Sequence, residues 1–168
     1  MGEYQREKGS VAECMDNIRR IIQVVNEQSK KIERETGLTG PQLWAVKIIS
    51  EISPVRVSDL AKSMYLHQST VVGIVDRLEK HGLVVRERSR DDRRVVEVTL
   101  TAEGQQHASH SPEVTSNKII HGLESLPSEE LSMIHRGLDS LVRILDAQGI
   151  APRLIGDNNI NGPHGEAV

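Results

Sequence analysis

Residues 68–100 decide the fold, and their sequence is QSTVVGIVDRLEKHGLVVRERSRDDRRVVEVTL. Apolar residues first recur at helical spacing as far as Leu78, and Gly82 then stands where helices commonly stop. Two β-prone runs follow, over 83–88 and 95–100, and the residues between them are nearly all charged. This order predicts a helix over about 68–81 and a β-hairpin over 83–100.

The residues before this helix complete a helix-turn-helix. Ser58 suits the N-cap of a brief helix that runs through Met64, and residues 65–67 form the turn into the next helix. An earlier helix begins at Thr39, with Pro41 in its first turn. Together these elements predict a winged helix-turn-helix head over 39–101.

Amphipathic helices flank the predicted head. The first spans about 10–35 and the others lie within 102–149, with a kink or break at Ser111-Pro112. The small head cannot cover their apolar stripes, which therefore need a partner surface. The composition of residues 150–168 predicts a mobile tail. The fold class is thus mainly α with a small β-hairpin wing. The apolar stripes comprise Val11, Met15, Ile18, Ile22, Val25 and Ile32 in the first helix and Leu131, Ile134, Leu138, Leu141 and Leu145 in the last.

Composition indicates a soluble protein of one domain, or a small module with added helices. The chain has 168 residues and no Phe, so the core must be built from aliphatic side chains. No apolar run approaches the roughly 20 residues that cross a bilayer, and the charged N-terminus does not resemble a signal peptide. The lone Cys14 cannot form an internal disulfide. We therefore expect a cytoplasmic protein with no membrane partner.

Positive charge is concentrated in one part of the chain. The net charge is −3, yet residues 56–94 contain nine Lys or Arg against six Asp or Glu. A local excess of positive charge is typical of a surface that meets a polyanion. The head is therefore the predicted site of contact with nucleic acid.

Four segments carry a resemblance to a known family. Residues 76–86, DRLEKHGLVVR, and 92–104, DRRVVEVTLTAEG, together with 38–42 and 57–61, resemble the multiple-antibiotic-resistance regulator (MarR) family. The likeness covers roughly residues 15–145. It implies an obligate homodimer with intertwined terminal helices and two heads on a pseudo-palindromic operator in double-stranded DNA. It also implies transcriptional repression that is relieved by a small-molecule effector or by oxidation.

The second helix of such a motif presents its N-terminal side chains to the major groove. In this sequence the predicted DNA-contacting residues are Gln68, Ser69, Thr70, Gly73 and Arg77. Gln can pair with adenine, Ser or Thr can bond bases or phosphates, and the missing side chain of Gly avoids crowding against the DNA backbone. The alternative is that Ser69 and Thr70 only cap the helix.

The charged loop of the hairpin suits a narrow minor groove, whose negative potential attracts arginine. Arg90, Arg93 and Arg94 are the predicted contacts. The family match implies that Arg94 meets DNA and that Asp92 holds it in place. The alternative for this loop is an ordinary solvated turn.

Three further features suggest sensing, each beside a simpler interpretation. Cys14 lies near the start of the first helix, as the reactive Cys of peroxide sensors in this family does, but it also suits a small apolar packing position. Such sensors surround the reactive Cys with Tyr side chains, and neither Tyr4 nor Tyr65 of this sequence matches such a position.

Glu103, His107 and His110 have a helical spacing that could place metal ligands on one face, although solvated histidines are the default. Trp44 could wall a ligand pocket, and core packing is its simpler role. We predict no bound cofactor and no metal.

Two competing function classes remain. An enzyme would need a phosphate-binding loop, a nucleophile motif or a catalytic carboxylate or Cys/His set, and the sequence offers none beyond the helical residues above. A winged helix that binds protein has no reason to collect five arginines around its hairpin. The sequence therefore predicts a DNA-binding regulator.

Overall fold

A computed structural model of the protein describes the backbone of residues 2–89, 92–152 and 154–155, and the side chains of these residues from Ser10 onward. Within these residues the chain forms seven helices and three strands. In chain order they are α1 (Gly2–Thr36), α2 (Gly40–Ile52), β1 (Val55–Arg56), α3 (Val57–Ser63), α4 (Gln68–Lys80), β2 (Val84–Arg88), β3 (Val96–Leu100), α5 (Ala102–His110), α6 (Thr115–Glu124) and α7 (Ser128–Ile144).

The three strands form one antiparallel sheet in the order β1-β3-β2. The β2–β3 hairpin pairs Val84 with Leu100 at its base and Arg88 with Val96 near its tip. Strand β2 begins one residue later than predicted, because Leu83 belongs to the turn that closes α4 and its N–H donates to the carbonyl of Leu78 (3.0 Å). Strand β3 also begins one residue later, because the Val95 N–H donates to the Asp92 carbonyl (2.9 Å) in the turn at the wing tip. The predicted wing is therefore present with slightly shorter strands.

The core lies around α2, which packs against helices α1, α3, α4, α5 and α6 and against β3. It is aliphatic, as the absence of Phe predicted, and Trp44 is its aromatic member. The Thr39 N–H donates to Oε1 of Gln42 (2.8 Å) at the start of α2, and Pro41 fits the first turn. The fully buried side chains include Leu43, Val46, Ile49, Leu60, Val71, Ile74, Val75, Leu78 and Val98.

A close approach between α5 and the base of the wing fixes the hairpin to the C-terminal part of the chain. The Thr101 hydroxyl donates to the Gly82 carbonyl (2.7 Å) and accepts from the Gly104 N–H (3.1 Å), so it caps α5. A Cβ on Gly104 would lie 2.0 Å from the carbonyl oxygen of Leu83. Only glycine fits at this position without displacing backbone.

Several boundaries differ from the predictions. Helix α1 begins at Gly2 rather than near Ser10. The N-cap of α3 is Arg56 rather than Ser58, since β1 is short and the helix starts at Val57. Helix α7 ends at Ile144, before the predicted residue 149. The predicted interruption at Ser111-Pro112 is present, because α5 ends at His110 and α6 begins at Thr115.

The predicted tail is only partly described. Leu154 is half-buried and packs against the core cluster, so this part of the predicted mobile tail contacts the folded chain. This contact was not predicted, because nothing in a Gly- and Asn-rich composition marks one apolar residue for burial. Arg153 and residues 156–168 lie outside the described residues.

Large apolar side chains are exposed on α1 and α7. No residue of α7 is buried; Leu138 is 54% exposed, and Leu145, directly after the helix, is 73% exposed. On α1, Val11, Ile21 and Ile22 are also exposed, whereas Ile32 near its C-terminal end is buried in the core. The stripe on α7 and the stripe on α1 before Ile32 thus remain largely uncovered by this chain. No helix among the described residues has the length and apolar character needed to cross a membrane.

Candidate nucleic-acid interface

Helix α4 has one buried face and one exposed face. The buried face consists of Val71, Ile74, Val75 and Leu78, which anchor the helix to the core. On the other side, Gln68, Ser69 and Arg77 are exposed, while Thr70 and Gly73 are half-buried. The predicted base-reading residues therefore lie on the part of α4 that a ligand can reach.

The N-terminal end of α4 is not capped by the serine or threonine that the sequence offered. The N-cap residue is His67, whose carbonyl accepts from the Thr70 N–H (3.0 Å) and whose side chain makes no capping bond. Ser69 and Thr70 already lie within the helix. The capping alternative for these two side chains is therefore wrong.

Gly73 is not required by the packing of the protein. A Cβ at this position would have no neighbour within 4 Å, and its φ is not positive. Glycine costs about 0.5–1 kcal/mol relative to alanine in a helix interior. Because packing within the protein does not explain Gly73, we interpret the missing side chain as space for another molecule to approach this face of α4 closely.

The tip of the wing is organised by hydrogen bonds to its own backbone. Oδ1 of Asp92 accepts from the Arg94 N–H (2.9 Å), and the Asp92 carbonyl accepts from the Val95 N–H (2.9 Å). Nη1 of Arg88 donates to the Arg93 carbonyl (2.7 Å). Asp92 thus fixes the backbone that carries Arg94, and the side chains of Arg93 and Arg94 are exposed. Arg90 lies outside the described residues.

Arg86 ties the wing to α4, a role that the sequence did not reveal. Its guanidinium lies on β2 and contacts carboxylate oxygens of Asp76 (2.6 Å) and Glu79 (2.7 Å) on α4. In the sequence Arg86 counted only as one charge of the basic cluster. The available signal was the tight turn at Gly82, which folds β2 back beside the last turns of α4.

These ion pairs change the charge balance of the head. The negative charges of Asp76 and Glu79 are offset by Arg86, so they are partly screened from a polyanion on the exposed face of α4. Arg77 on that face and Arg93 and Arg94 on the wing remain exposed. Positive charge is thus exposed at two places in the head, on α4 and at the tip of the wing.

The other predicted candidates are dispersed. Cys14 is exposed on α1. His110 contacts the Gln106 carbonyl through Nδ1 (3.0 Å), and the described part of the chain contains no group of three His, Cys, Asp or Glu side chains that could hold a metal ion.

Trp44 is buried in the core at 5% exposure, as its simpler interpretation predicted, but its Nε1 has no hydrogen-bond partner among the described residues.

Two helices joined by a short turn, followed by a hairpin with a basic tip, define a winged helix-turn-helix protein. Comparisons with known proteins agree. The model of the MarR family matches residues 38–96. The HTH-type transcriptional regulator MgrA of Staphylococcus aureus is 30% identical over 126 residues, which cover 74% of this chain and 83% of that protein.

Two solved structures have the same fold. The transcriptional regulator BldR from Sulfolobus solfataricus superimposes with a TM-score of 0.52 and 28% identity, over 80% of this chain and 93% of that chain. A MepR-like protein complexed with pseudoligands gives a TM-score of 0.50 and 28% identity, over 77% and 94%. The chain belongs to the MarR family of DNA-binding transcriptional regulators, and it is not an enzyme. The predicted family and fold class are confirmed.

Proposed function

We propose that this regulator acts as a homodimer that binds a pseudo-palindromic operator and represses transcription until a small ligand releases it. The observation that carries the proposal is the pair of uncovered apolar stripes on α1 and α7, which flank the head on both sides in sequence. Full burial of one Leu or Ile side chain stabilises an assembly by about 1.5–3 kcal/mol. A second copy of the chain offers the same two stripes and can cover them.

Within this proposal, α4 enters the major groove and the wing reaches the adjacent minor groove. Gln68 is positioned at the first turn of α4, where a side chain can pair with adenine, and Ser69 and Thr70 follow with hydroxyls for bases or phosphates. Arg77 neutralises phosphate. Arg94, on a backbone held by Asp92, is the minor-groove contact, and Arg93 and Arg90 are the further arginines proposed to contact DNA.

Release by a small ligand is supported by two buried polar atoms. Nε1 of Trp44 on α2 and Oγ1 of Thr115 on α6 are both buried without a partner in the described part of the chain. Such an unpaired group costs about 1–3 kcal/mol. Helices α2 and α6, which carry these two groups, pack against each other. A ligand with a hydrogen-bond acceptor that reaches either group would therefore act where the head meets the C-terminal helices.

The test is a selection of genomic DNA fragments with the purified full-length protein, followed by gel-shift titration of the recovered fragment and of a single half-site. We expect one palindromic fragment, bound in a salt-sensitive manner and more tightly than its half-site. A matched competitor with scrambled half-sites serves as the control. Recovery of no fragment above background would contradict the proposal and favour a winged helix that binds protein.

A further inference from the structure

Tyr65 occupies an unusual backbone position in the turn between α3 and α4. Its N–H donates to the carbonyl of Lys62 (3.0 Å) and the Leu66 N–H donates to the carbonyl of Ala61 (3.0 Å), which is the bonding pattern of a Schellman helix end. The φ of Tyr65 is +51°. Glycine ordinarily takes this position because a Cβ is crowded there, and Gly82 does so at the end of α4 with φ +72°. The aromatic residue at this turn therefore needs an explanation.

A hydrogen bond made by the Tyr65 side chain explains why an aromatic residue stands at this turn. Its hydroxyl donates a hydrogen bond of 2.5 Å to Oε1 of Glu124 in α6, 59 residues along the chain. Glu124 is the last residue of α6, where the helix dipole disfavours negative charge, and Nδ1 of His121 lies 3.5 Å from its other oxygen. The hydrogen bond thus joins two residues in locally unfavourable positions, a non-glycine residue with positive φ and an acidic residue at a helix C-terminus.

The contact is not a by-product of core packing. Tyr65 is 66% exposed, so few neighbours hold its side chain against Glu124. The hydrogen bond to Glu124 and the negative charge of that carboxylate raise the pKa of the Tyr65 hydroxyl above its ordinary value. The raised pKa keeps the hydroxyl protonated, and so able to donate, up to a higher pH than in a free tyrosine. An exposed contact of this kind can open without unfolding the head.

The Tyr65–Glu124 contact lies between the start of helix α4 and the end of helix α6. His67, two residues after Tyr65, is the N-cap of α4, and Gln68 is the first residue of that helix. At the other end, Glu124 closes α6, and α7 with its uncovered apolar stripe begins at Ser128. The hydrogen bond thus joins the base-reading end of α4 to the helices that carry the dimer surface.

We propose that the Tyr65–Glu124 hydrogen bond is a latch that positions the N-terminal end of α4 relative to the C-terminal helices. This inference rests on the proposed homodimer, because in a dimer the angle between head and C-terminal helices sets the distance between the two copies of α4. A closed latch holds that distance at the spacing of the operator half-sites. Tyr65 and Glu124 are positioning residues and do not themselves contact bases.

The experiment compares full-length variants by fluorescence anisotropy, with the recovered palindromic fragment and with one half-site of it as probes. Tyr65→Phe and Glu124→Ala should each weaken binding to the full palindrome by roughly three- to tenfold, the range that a single hydrogen bond supplies, and leave half-site binding unchanged. The double variant should be no weaker than either single variant, since both remove the same contact.

Tyr65→Gly separates the latch from a structural role of the turn. Glycine relieves the positive φ, so the thermal midpoint should rise, yet affinity for the full palindrome should still fall. A turn that matters only for folding predicts the higher midpoint with unchanged affinity, and that result would overturn the latch.

Two other outcomes would also overturn the latch. If Tyr65→Phe weakens the half-site while Glu124→Ala strengthens it, Tyr65 contacts phosphate directly and the latch is wrong. If the wild-type protein does not distinguish the palindrome from its half-site, the homodimer proposal fails, and the latch fails with it. The wild-type titration therefore tells the two failures apart.

Discussion

The guanidinium of Arg86 lies 2.6 Å from the carboxylate of Asp76, and this contact joins the wing to helix α4. The same guanidinium contacts Glu79 one turn further along α4. The two elements proposed to enter adjacent grooves of DNA are thereby tied to each other. The Arg86 side chain is 25% exposed, so solvent screens the pairs and their contribution to stability is modest, about 0.2–1 kcal/mol each.

Replacement of Arg86 by Ala should weaken DNA binding more than it weakens folding. The wing loses its tie to α4, and Asp76 and Glu79 are left as negative charges beside the proposed interface. We expect a loss of affinity of about tenfold, equal to about 1.4 kcal/mol. Gel-shift titration and urea denaturation measure the two effects. The control is Arg19→Ala, which removes the exposed pair with Asp16 on α1; equal losses in both variants would contradict a specific role for Arg86.

Gly73→Ala should stabilise the protein and impair its function. A Cβ at Gly73 meets no atom within 4 Å, so the substitution should raise the free energy of unfolding by about 0.5–1 kcal/mol through better helix propensity. In the DNA complex the added methyl group should clash with the DNA backbone and lower affinity.

Gly122→Ala in α6 is the matched control for this experiment, because a Cβ there also has no neighbour within 4 Å. It should give the same stabilisation with unchanged DNA binding. Thermal denaturation and gel-shift titration of both variants decide the matter. Unchanged DNA binding in Gly73→Ala would mean that α4 does not approach DNA through this face.

Much of the head could be predicted from the sequence because its signals are local. The period-3.6 pattern of α4, the glycine stop at Gly82 and the alternation in β3 each lie within a few residues. The role of Asp92 was instead implied by the family resemblance, and the atoms it bonds also lie close in sequence, within residues 92–95. Local patterns of this kind need no knowledge of which elements meet in space.

The contacts that were missed all depend on tertiary packing. Arg86 finds Asp76 only after β2 folds back beside α4, and the sequence shows Arg86 as one more positive charge. Tyr65 meets Glu124 across 59 residues. The burial of Leu154 depends on where the chain returns after α7. In each case a polar or apolar residue has many possible neighbours, and the fold selects one.

Asp92→Ala and Arg94→Ala should weaken DNA binding in different ways. Arg94→Ala removes a charge that meets the minor groove, so the slope of log affinity against log salt should fall by about one. Asp92→Ala removes the acceptor of the Arg94 N–H and frees the wing tip, but it retains the arginine charge. Affinity should therefore fall without a smaller salt slope. Binding isotherms over a salt series measure both; identical slopes for Arg94→Ala and the wild type would refute the minor-groove contact.

Gly104→Ala should destabilise the head. The added Cβ would lie 2.0 Å from the backbone carbonyl oxygen of Leu83, so α5 must move away from the base of the wing. Overpacking of this kind costs about 1–3 kcal/mol, and the shift also strains the Thr101 cap. Urea denaturation checks the value, with Gly122→Ala as the control that should not destabilise. A stability equal to the wild type would show that α5 can shift freely.

Leu138→Glu tests the dimer surface on α7. Leu138 lies in the apolar stripe and is 54% exposed in the single chain, so a carboxylate there costs little in the monomer but would be buried without a partner in a dimer. We expect a monomer by light scattering and loss of the tight binding to the full palindrome, while half-site binding persists. Ser132→Glu is the control, because Ser132 lies about 140° from the centre of the stripe at 100° per residue. A Leu138→Glu protein that stays dimeric would move the interface away from α7 and leave the stripe on α1 as the surface to test next.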